Sequence, residues 1–323
     1  MNICHGLEKF AAPPAGVVLS IGNFDGVHRG HAQLLATARQ VALRLSAEVA
    51  VLTFHPHPLA VLAPERAPAA LGTLGEKLAL LARLGVAHAI VVRSEPAFLA
   101  QHADDFLASL VAHCRPRALV EGPDFNFGRG RSGNNETLAG HAARWGYELH
   151  IVPALRCVEL PTHPTISSSS IRQALRDGRV AEAHAMLGRP YRIVGRTGGG
   201  DARGARLGFP TANLQDVRQP LPQEAVYAAV AQLEDDALHL AAVNIGSQPT
   251  FAQQQSRVEA HLLDFCGDLR GRRVGLHFLE RLREQQHFSG PDALAVQLRQ
   301  DVAATRALAA RVPVLRAAGV IPL

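Results

Sequence analysis

Cysteine is scarce in these 323 residues: four occur, at Cys4, Cys114, Cys157 and Cys266, and none forms a Cys-x-x-Cys pair. That scatter argues against a disulfide framework and against a zinc ribbon. Long apolar runs are missing too, and none reaches the roughly 18 residues needed to span a bilayer, so no membrane is expected as a partner. The opening Met1-Asn2-Ile3-Cys4-His5-Gly6-Leu7-Glu8 lacks a basic segment followed by an apolar core. No signal peptide is therefore expected, and the setting expected is cytoplasmic. No block of Lys and Arg is interleaved with aromatics, which disfavours nucleic acid as a partner. The net charge of +5 suits small anionic molecules equally well. There are no internal repeats, and Gln253–Gln255 is too short to count as low complexity.

What is present is an ordinary globular balance, 47% hydrophobic and 19% charged, in a chain long enough for two domains with separate cores. Up to about residue 186, short apolar runs alternate with helical patterns. Strands are expected at Val17–Ile21, Glu48–Thr53, Ala87–Val92, Ala118–Glu121 and Glu148–Val152. Helices are expected at His31–Leu45, Leu74–Leu84, Ala97–Cys114, Ala139–Trp145 and Ser170–Asp177. Such alternation predicts a parallel sheet covered on both faces, with ligands at the carboxyl ends of its strands. A short helix ending at Gly188 and Pro190 reads as a junction, which gives domains 1–186 and 187–323. Beyond it, short β-like pieces separated by Gly, Pro, Asn and Asp read as a small β-barrel or sandwich, followed by a long helix from Pro291 to Ala310.

The most informative stretch is Gly22-Asn23-Phe24-Asp25-Gly26-Val27-His28-Arg29-Gly30-His31, which joins the first of these strands to the first helix. A small-residue turn there brings backbone N–H groups and a helix start to the sheet edge, where phosphate is favoured. His28 and His31 add two imidazoles able to donate to phosphate oxygens. Three further motifs follow in order: Thr53-Phe54-His55-Pro56-His57-Pro58, Gly122-Pro123-Asp124-Phe125-Asn126-Phe127-Gly128 with Gly133 and Asn134 beyond, and Ile166-Ser167-Ser168-Ser169-Ser170-Ile171-Arg172. Ser168 and Ser169 at a helix start offer hydroxyls and N–H groups to phosphate, a use compatible with helix capping. Arg172, about one turn later, can pair with the same phosphates. Phe125 and Phe127 share one face of an extended segment, either as core or as a platform for a flat ring, with Asp124 or Asn126 at its polar edge. His55 and His57 have no Cys or further His nearby; His57 is read as lining or supporting the nucleotide pocket rather than as a metal ligand.

With these four motifs in order, the first half resembles the adenylyltransferase module of bacterial bifunctional riboflavin kinase/FAD synthetases. In the second half, Leu207-Gly208-Phe209-Pro210-Thr211-Ala212-Asn213-Leu214, Asn244-Ile245-Gly246-Ser247-Gln248-Pro249-Thr250-Phe251 and Val258-Glu259-Ala260-His261-Leu262-Leu263-Asp264-Phe265 are similar to the riboflavin kinase module of the same family. The resemblance implies an α/β chain: an N-terminal doubly wound parallel sheet of the Rossmann-like nucleotidyltransferase kind, and a C-terminal small antiparallel β-barrel with a terminal helix. It implies that riboflavin is phosphorylated to FMN and FMN is joined to AMP, with ATP and Mg²⁺ in both steps. By the same likeness Gly22, Asn23, Phe24 and Asp25 bind nucleotide, His28 and His31 serve the α- and β-phosphates, and Ser168, Ser169 and Arg172 serve the β- and γ-phosphates. Asp124, Phe125, Asn126, Phe127 and Arg283 would bind flavin. Gly208 and Pro210 would bind the kinase nucleotide, Thr211 and Asn213 would hold Mg²⁺, and Glu259 would be the kinase base.

Some positions depart from the family pattern. An expected His is Gly199, an expected Arg is displaced to Arg206 or lost at Gly204-Ala205, and a usual Gly-Val-Tyr-Ala begins at Ala225. A customary Tyr is Arg270, and an expected Glu near Arg283 is Gln285, with Glu284 adjacent. Three consecutive glycines, Gly198–Gly200, raise the cost of ordering a phosphate loop. Thr211, Asn213 and Glu259 remain, so an active kinase with altered nucleotide affinity is expected. The alternative is a monofunctional FAD synthetase whose second half is a flavin-binding or regulatory module. Transfer to a phosphorylated alcohol other than FMN is a further alternative, opposed by Asp124–Phe127.

Overall fold

The computed structural model describes residues 1–199, 208–247 and 256–311. The chain divides into two compact units, one of Met1–Val158 with His163–Ser167, the other of Glu159–Thr162 with Ser168 onward.

The first unit is built on a parallel sheet ordered β1-β4-β3-β2-β5-β8, with β1 at Asn2–His5, β2 at Val17–Ile21, β3 at Glu48–His55, β4 at His88–Arg93, β5 at Pro116–Glu121 and β8 at Glu148–Ile151. The edge strand β1 lies outside the expected set: its Met1-to-His5 stretch has only partial apolar character, and pairing with β4 decides it. Every residue of β2 is buried, as a central strand covered on both faces requires. Its side chains alternate between two cores. Val17, Leu19 and Ile21 join Leu52, Ile90, Leu107 and Leu110 on one face. Val18 joins Leu35, Val41, Val51 and Leu81 on the other. Helices α1 (Arg29–Leu45) and α3 (Leu74–Arg83) supply the second face, α5 (Ala103–Cys114) and α6 (Asn135–Trp145) the first. The short helix α2 spans Leu59–Leu62, and between β5 and β8 a two-stranded ribbon pairs β6 (Asn126–Phe127) with β7 (Gly133–Asn134).

The single helix expected over Ala97–Cys114 is two, α4 (Pro96–Leu99) and α5. The break frees the Gln101 carbonyl, which accepts the Arg129 N–H at 2.8 Å. A Cβ on Gly128 would stand 2.8 Å from the Cα of Ala103, so the 128–131 loop packs directly on this break. Tertiary docking, invisible to helical periodicity, overrides the pattern.

The second unit begins with α7 (Ser168–Arg176) and α8 (Val180–Leu187). Six antiparallel strands then close a barrel ordered β10-β13-β12-β11-β14-β9. They are β9 (Tyr191–Gly198), β10 (Ala212–Gln215), β11 (Ala225–Gln232), β12 (Leu238–Ser247), β13 (Ser256–Leu262) and β14 (Arg273–Arg283). Closure selects the barrel over a sandwich. Strand β10, four residues long, carries too short a pattern to be expected from sequence. All eight residues of the Ala-rich β11 are buried, and its Val230 lies with Leu238, Leu279 and Leu308 beneath the terminal helix α9 (Pro291–Ala307). Small side chains on the outer face allow that helix a close approach. The buried rings of Tyr191, Tyr227 and Phe278 fill the barrel core.

Candidate functional site

The chain runs β2, β3, β4 to one side and then returns to place β5 on the other side of β2. This reversal is the point where ligands bind in open α/β sheets. The β2–β5 backbone pairing stops at Leu19–Leu119, and the carboxyl of the fully buried Glu121 takes over, accepting the Ile21 N–H at 2.8 Å. A side chain thus replaces a ladder bond just where the strands part. Burial pushes the Glu121 carboxyl well above the usual carboxylate range, with the Ile21 N–H pulling the other way.

Between β2 and α1, Phe24 and Val27 both adopt left-handed φ values of 45° and 39°. For a β-branched valine that is a costly conformation, and such outliers persist where a site over-determines them. Asp25 is held by accepting the Leu71 N–H at 2.9 Å, and Thr53 Oγ1 donates to the Asn23 carbonyl at 3.2 Å. His28 caps α1, its Nδ1 accepting the His31 N–H at 3.4 Å, while His31 Nδ1 accepts the His28 N–H at 3.2 Å. The rings stack with centroids 3.6 Å apart. Because each Nδ1 is an acceptor, each neutral ring carries its proton on Nε2, and both imidazoles offer an N–H donor. A Cβ on Gly30 would lie 3.2 Å from His28 Nδ1, which is why glycine separates the histidines.

Beside this loop is a cavity of ≈ 540 Å³, lined in part by Gly22, Asn23, His57, Asp124, Phe125 and Phe127. That volume is within the usual range for a small-molecule site. Phe125 and Phe127 stack at 5.5 Å. The two readings of this pair divide between them: Phe127 belongs to the core, 5.8 Å from Phe106, whereas Phe125 is only half-buried, and both line the cavity. Asn126 turns its amide onto the Asp124 carbonyl at 2.7 Å. Gly133 is required because a Cβ there would sit 2.6 Å from Phe127 Cζ. His57 Nδ1 accepts the Leu59 N–H at 3.1 Å, and its Nε2 lies 3.2 Å from the Asn23 amide group, so it supports the pocket wall. Among the described residues no group of three or more His, Cys, Asp or Glu could hold a metal.

Sequence reading missed Lys77, whose Nζ donates to Thr53 Oγ1 at 3.3 Å and to the Phe54 carbonyl at 3.5 Å. Burial lowers its pKa, opposed by the Asp25 carboxylate. Its signal was available: Lys77 falls in the apolar stripe Leu74, Leu78, Leu81 of α3, where a lysine has no solvent reason to be. His55 is likewise lowered by burial and then by Lys77.

In the second unit Ser168 and Ser169 open α7, two residues earlier than expected, with Arg172 one turn on. The kinase-like residues assemble across three strands. Asn213 of β10 and Asn244 of β12 are both register partners of Glu259 in β13, so the three form one row. Asn244 Nδ2 lies 3.4 Å from Glu259 Oε2. Val258, Ala260 and Leu262 point to the barrel core, leaving Arg257, Glu259 and His261 on its outer face. His261 Nδ1 pairs with the Pro210 carbonyl at 2.8 Å, and its ring meets Phe209 edge-on at 5.4 Å, which fixes the turn Gly208–Pro210 ahead of Thr211. Gly208 has φ 85°. Arg257, also missed by the sequence reading, bridges Asn213 and Glu259.

Arg283 is not brought to this row. Its guanidinium pairs with the buried Asp301 of α9 at 2.9 and 2.8 Å. The departures fare differently. Gln285 donates to Asn244 Oδ1 at 2.6 Å and to the Ile245 carbonyl at 2.7 Å, so it braces the row. Gly199 is exposed, Ala225 is buried at the start of β11, and Arg270 pairs with Asp268 at the surface. Gly200, Gly204, Ala205, Arg206 and the stretch Gln248–Phe251 lie outside the described residues.

A family model described as FAD synthetase matches residues 11–169, and one described as riboflavin kinase matches 187–309. The chain is similar to the bifunctional riboflavin kinase/FMN adenylyltransferase of Escherichia coli (strain K12), 38% identical over 304 residues, covering 93% of this chain and 96% of that protein. The protein of the same description from Bacillus subtilis (strain 168) is 32% identical over 308 residues, with 93% and 95% covered. A crystal structure described as a macrolide-efflux protein from Streptococcus pneumoniae matches with a TM-score of 0.85 and 30% identity, covering 95% of this chain and 99% of that one. Among the described residues no helix is long and apolar enough to cross a membrane.

Proposed function

The chain belongs to the bifunctional riboflavin kinase/FMN adenylyltransferase family, and from that premise we propose which of its residues perform each step. The protein phosphorylates riboflavin to FMN with ATP, then adenylylates FMN with a second ATP to give FAD and pyrophosphate. We assign adenylyl transfer to residues 1–186 and phosphorylation to 187–323, in the cytoplasm, where ATP is supplied.

In adenylyl transfer a phosphate oxygen of FMN attacks the α-phosphorus of ATP, and the bond to the β-phosphate oxygen breaks. Both nucleophile and leaving group are already acidic, so positioning and charge stabilisation do the catalysis. The observation that carries this reading is the reciprocal capping of His28 and His31, which commits both Nδ1 atoms and holds both Nε2–H groups as donors. Those donors are assigned to the α- and β-phosphates; Ser168, Ser169 and Arg172 are assigned to the β- and γ-phosphates on family resemblance. The ring system of FMN occupies the cavity beside Phe125 and Phe127.

In phosphorylation the ribityl 5′-hydroxyl attacks the γ-phosphorus, ADP departs, and Glu259 takes the hydroxyl proton. The oxygens of Thr211 and Asn213 are the hard donors that suit Mg²⁺. When bound, Mg²⁺ supplies charge neutralisation to the phosphates. Gly208 and Pro210 shape the turn that receives the nucleotide. Arg283 is assigned to flavin binding, its guanidinium oriented by Asp301.

The test is chromatography of products from riboflavin, ATP and Mg²⁺, beside a reaction started from FMN. FAD is expected from both. Glu259→Gln should stop FMN formation yet still make FAD from supplied FMN; undiminished FMN synthesis would remove Glu259 from the mechanism.

A further inference from the structure

Arg257 stands two residues before Glu259 on β13, so the two side chains leave the same face of the strand. Its Nε donates to Asn213 Oδ1 and lies 3.2 Å from Glu259 Oε1. Its cross-strand partner is Gly246, where a side chain would crowd Gln285, 3.1 Å from the Cβ position. The guanidinium therefore lies over the Asn213–Glu259 side of the row and contacts both residues. Arg257 and Glu259 are 22% and 27% exposed in their side chains, so this pair is shielded from solvent more than a surface ion pair. The amide oxygen of Asn213 is then shared between two uses. It accepts from a guanidinium here, and it is the oxygen read above as a ligand of a divalent cation; two cations cannot both approach it closely.

We infer that Arg257 holds the place of the divalent cation in the riboflavin-phosphorylating site and is displaced from Asn213 when that cation binds. It is a positioning residue. Without metal it keeps the Asn213 amide and the Glu259 carboxylate aligned and neutralises the carboxylate. With metal the guanidinium remains with Glu259 and releases Asn213. The consequence is that the cation requirement of riboflavin phosphorylation is set by this competition, whereas that of adenylyl transfer is not. The inference rests on the reading of Asn213 as a cation ligand.

The experiment uses Mn²⁺ as the probe, its binding to the full chain in the presence of ADP followed by electron paramagnetic resonance. The site that disappears in Asn213→Ala is the one at issue. Arg257→Gln is expected to tighten Mn²⁺ there about tenfold, the worth of one charge-assisted hydrogen bond removed from competition. The Mg²⁺ concentration that half-saturates FMN formation should fall in parallel, while that for FAD formation from FMN stays constant. Arg257→Lys, which keeps the charge but loses the Nε fork, should shift both quantities the same way by less, and it carries the test if the glutamine variant does not fold. Unchanged Mn²⁺ affinity at the Asn213-dependent site would overturn the inference, as would an equal shift in the FAD-forming step. Mn²⁺ binding identical in wild type and Asn213→Ala would instead overturn the reading of Asn213 on which it rests.

Discussion

His28 does two jobs that one substitution can separate. Its Nδ1 accepts the His31 N–H at 3.4 Å as the cap of α1, and its Nε2–H is assigned to the ATP phosphates. His28→Ala removes both. Loss of a cap costs about 1 kcal/mol, and loss of the ring contact with His31 at 3.6 Å adds to that. Loss of one preorganised donor to a developing phosphate charge costs about 10²–10³ in rate. His28→Asn restores the cap, because an asparagine side-chain oxygen reaches the same N–H, but places no donor where Nε2 was. The expected pattern is a lower melting temperature for Ala, a melting temperature near wild type for Asn, and FAD formation from FMN reduced about 10²–10³-fold in both. FMN formation from riboflavin should be untouched in both. Chromatographic rates from FMN and from riboflavin, with a thermal melt of each variant, give all the readings. If Asn restored FAD synthesis together with stability, His28 would be a capping residue and the phosphate role would fall.

Two further outcomes follow from buried carboxyls. The Glu121 pKa is raised by burial, so the folded chain binds its proton more tightly than the unfolded chain. Its contribution to stability is present below the unfolded value and is lost as pH rises through the folded one. Glu121→Gln keeps an oxygen for the Ile21 N–H and has no proton to lose, so it should become progressively more stable than wild type above pH 4.5, by about 1.4 kcal/mol per pH unit until the folded pKa is passed. Trp145, the one tryptophan in the chain, lies in α6 of the first unit, so denaturant titrations read by its fluorescence report that unit at each pH. A stability difference independent of pH would show that Glu121 does not take up a proton on folding. In the second unit, Asp301→Ala strands the Arg283 guanidinium, 15% exposed against 4% for Asp301. Breaking a buried pair in this way costs about 3–5 kcal/mol, mostly from the uncompensated charge. A second-unit transition unmoved in calorimetry would mean that Arg283 finds another partner.

The candidate sites were legible where a motif is contiguous. Gly22 to His31 is read directly, because a turn between strand and helix brings its own residues together and the two histidines meet across one helical turn. Gly133 was readable only as part of a resemblance; its physical reason, the Phe127 ring 2.6 Å from where a Cβ would be, appears only in three dimensions. The same holds for Arg283, a cation near the end of a strand that could serve a ligand on charge alone. Asp301, 18 residues later, takes it.

The parallel sheet, its two-sided burial and the change to short strands beyond residue 190 are all readable from the alternation of apolar runs, because local periodicity records which faces meet water. The short loop motifs carry the phosphate chemistry in their residue types, whereas flavin as the substrate is legible only through the family resemblance. The break at 100–102, the pairing of β10 with β9 and β13, the reach of Lys77 to Thr53 and the place of Arg257 between Asn213 and Glu259 emerge only in three dimensions. Each of these joins residues far apart in sequence. Such contacts depend on register and on what else competes for the same space, and neither is written in the local pattern of any one segment.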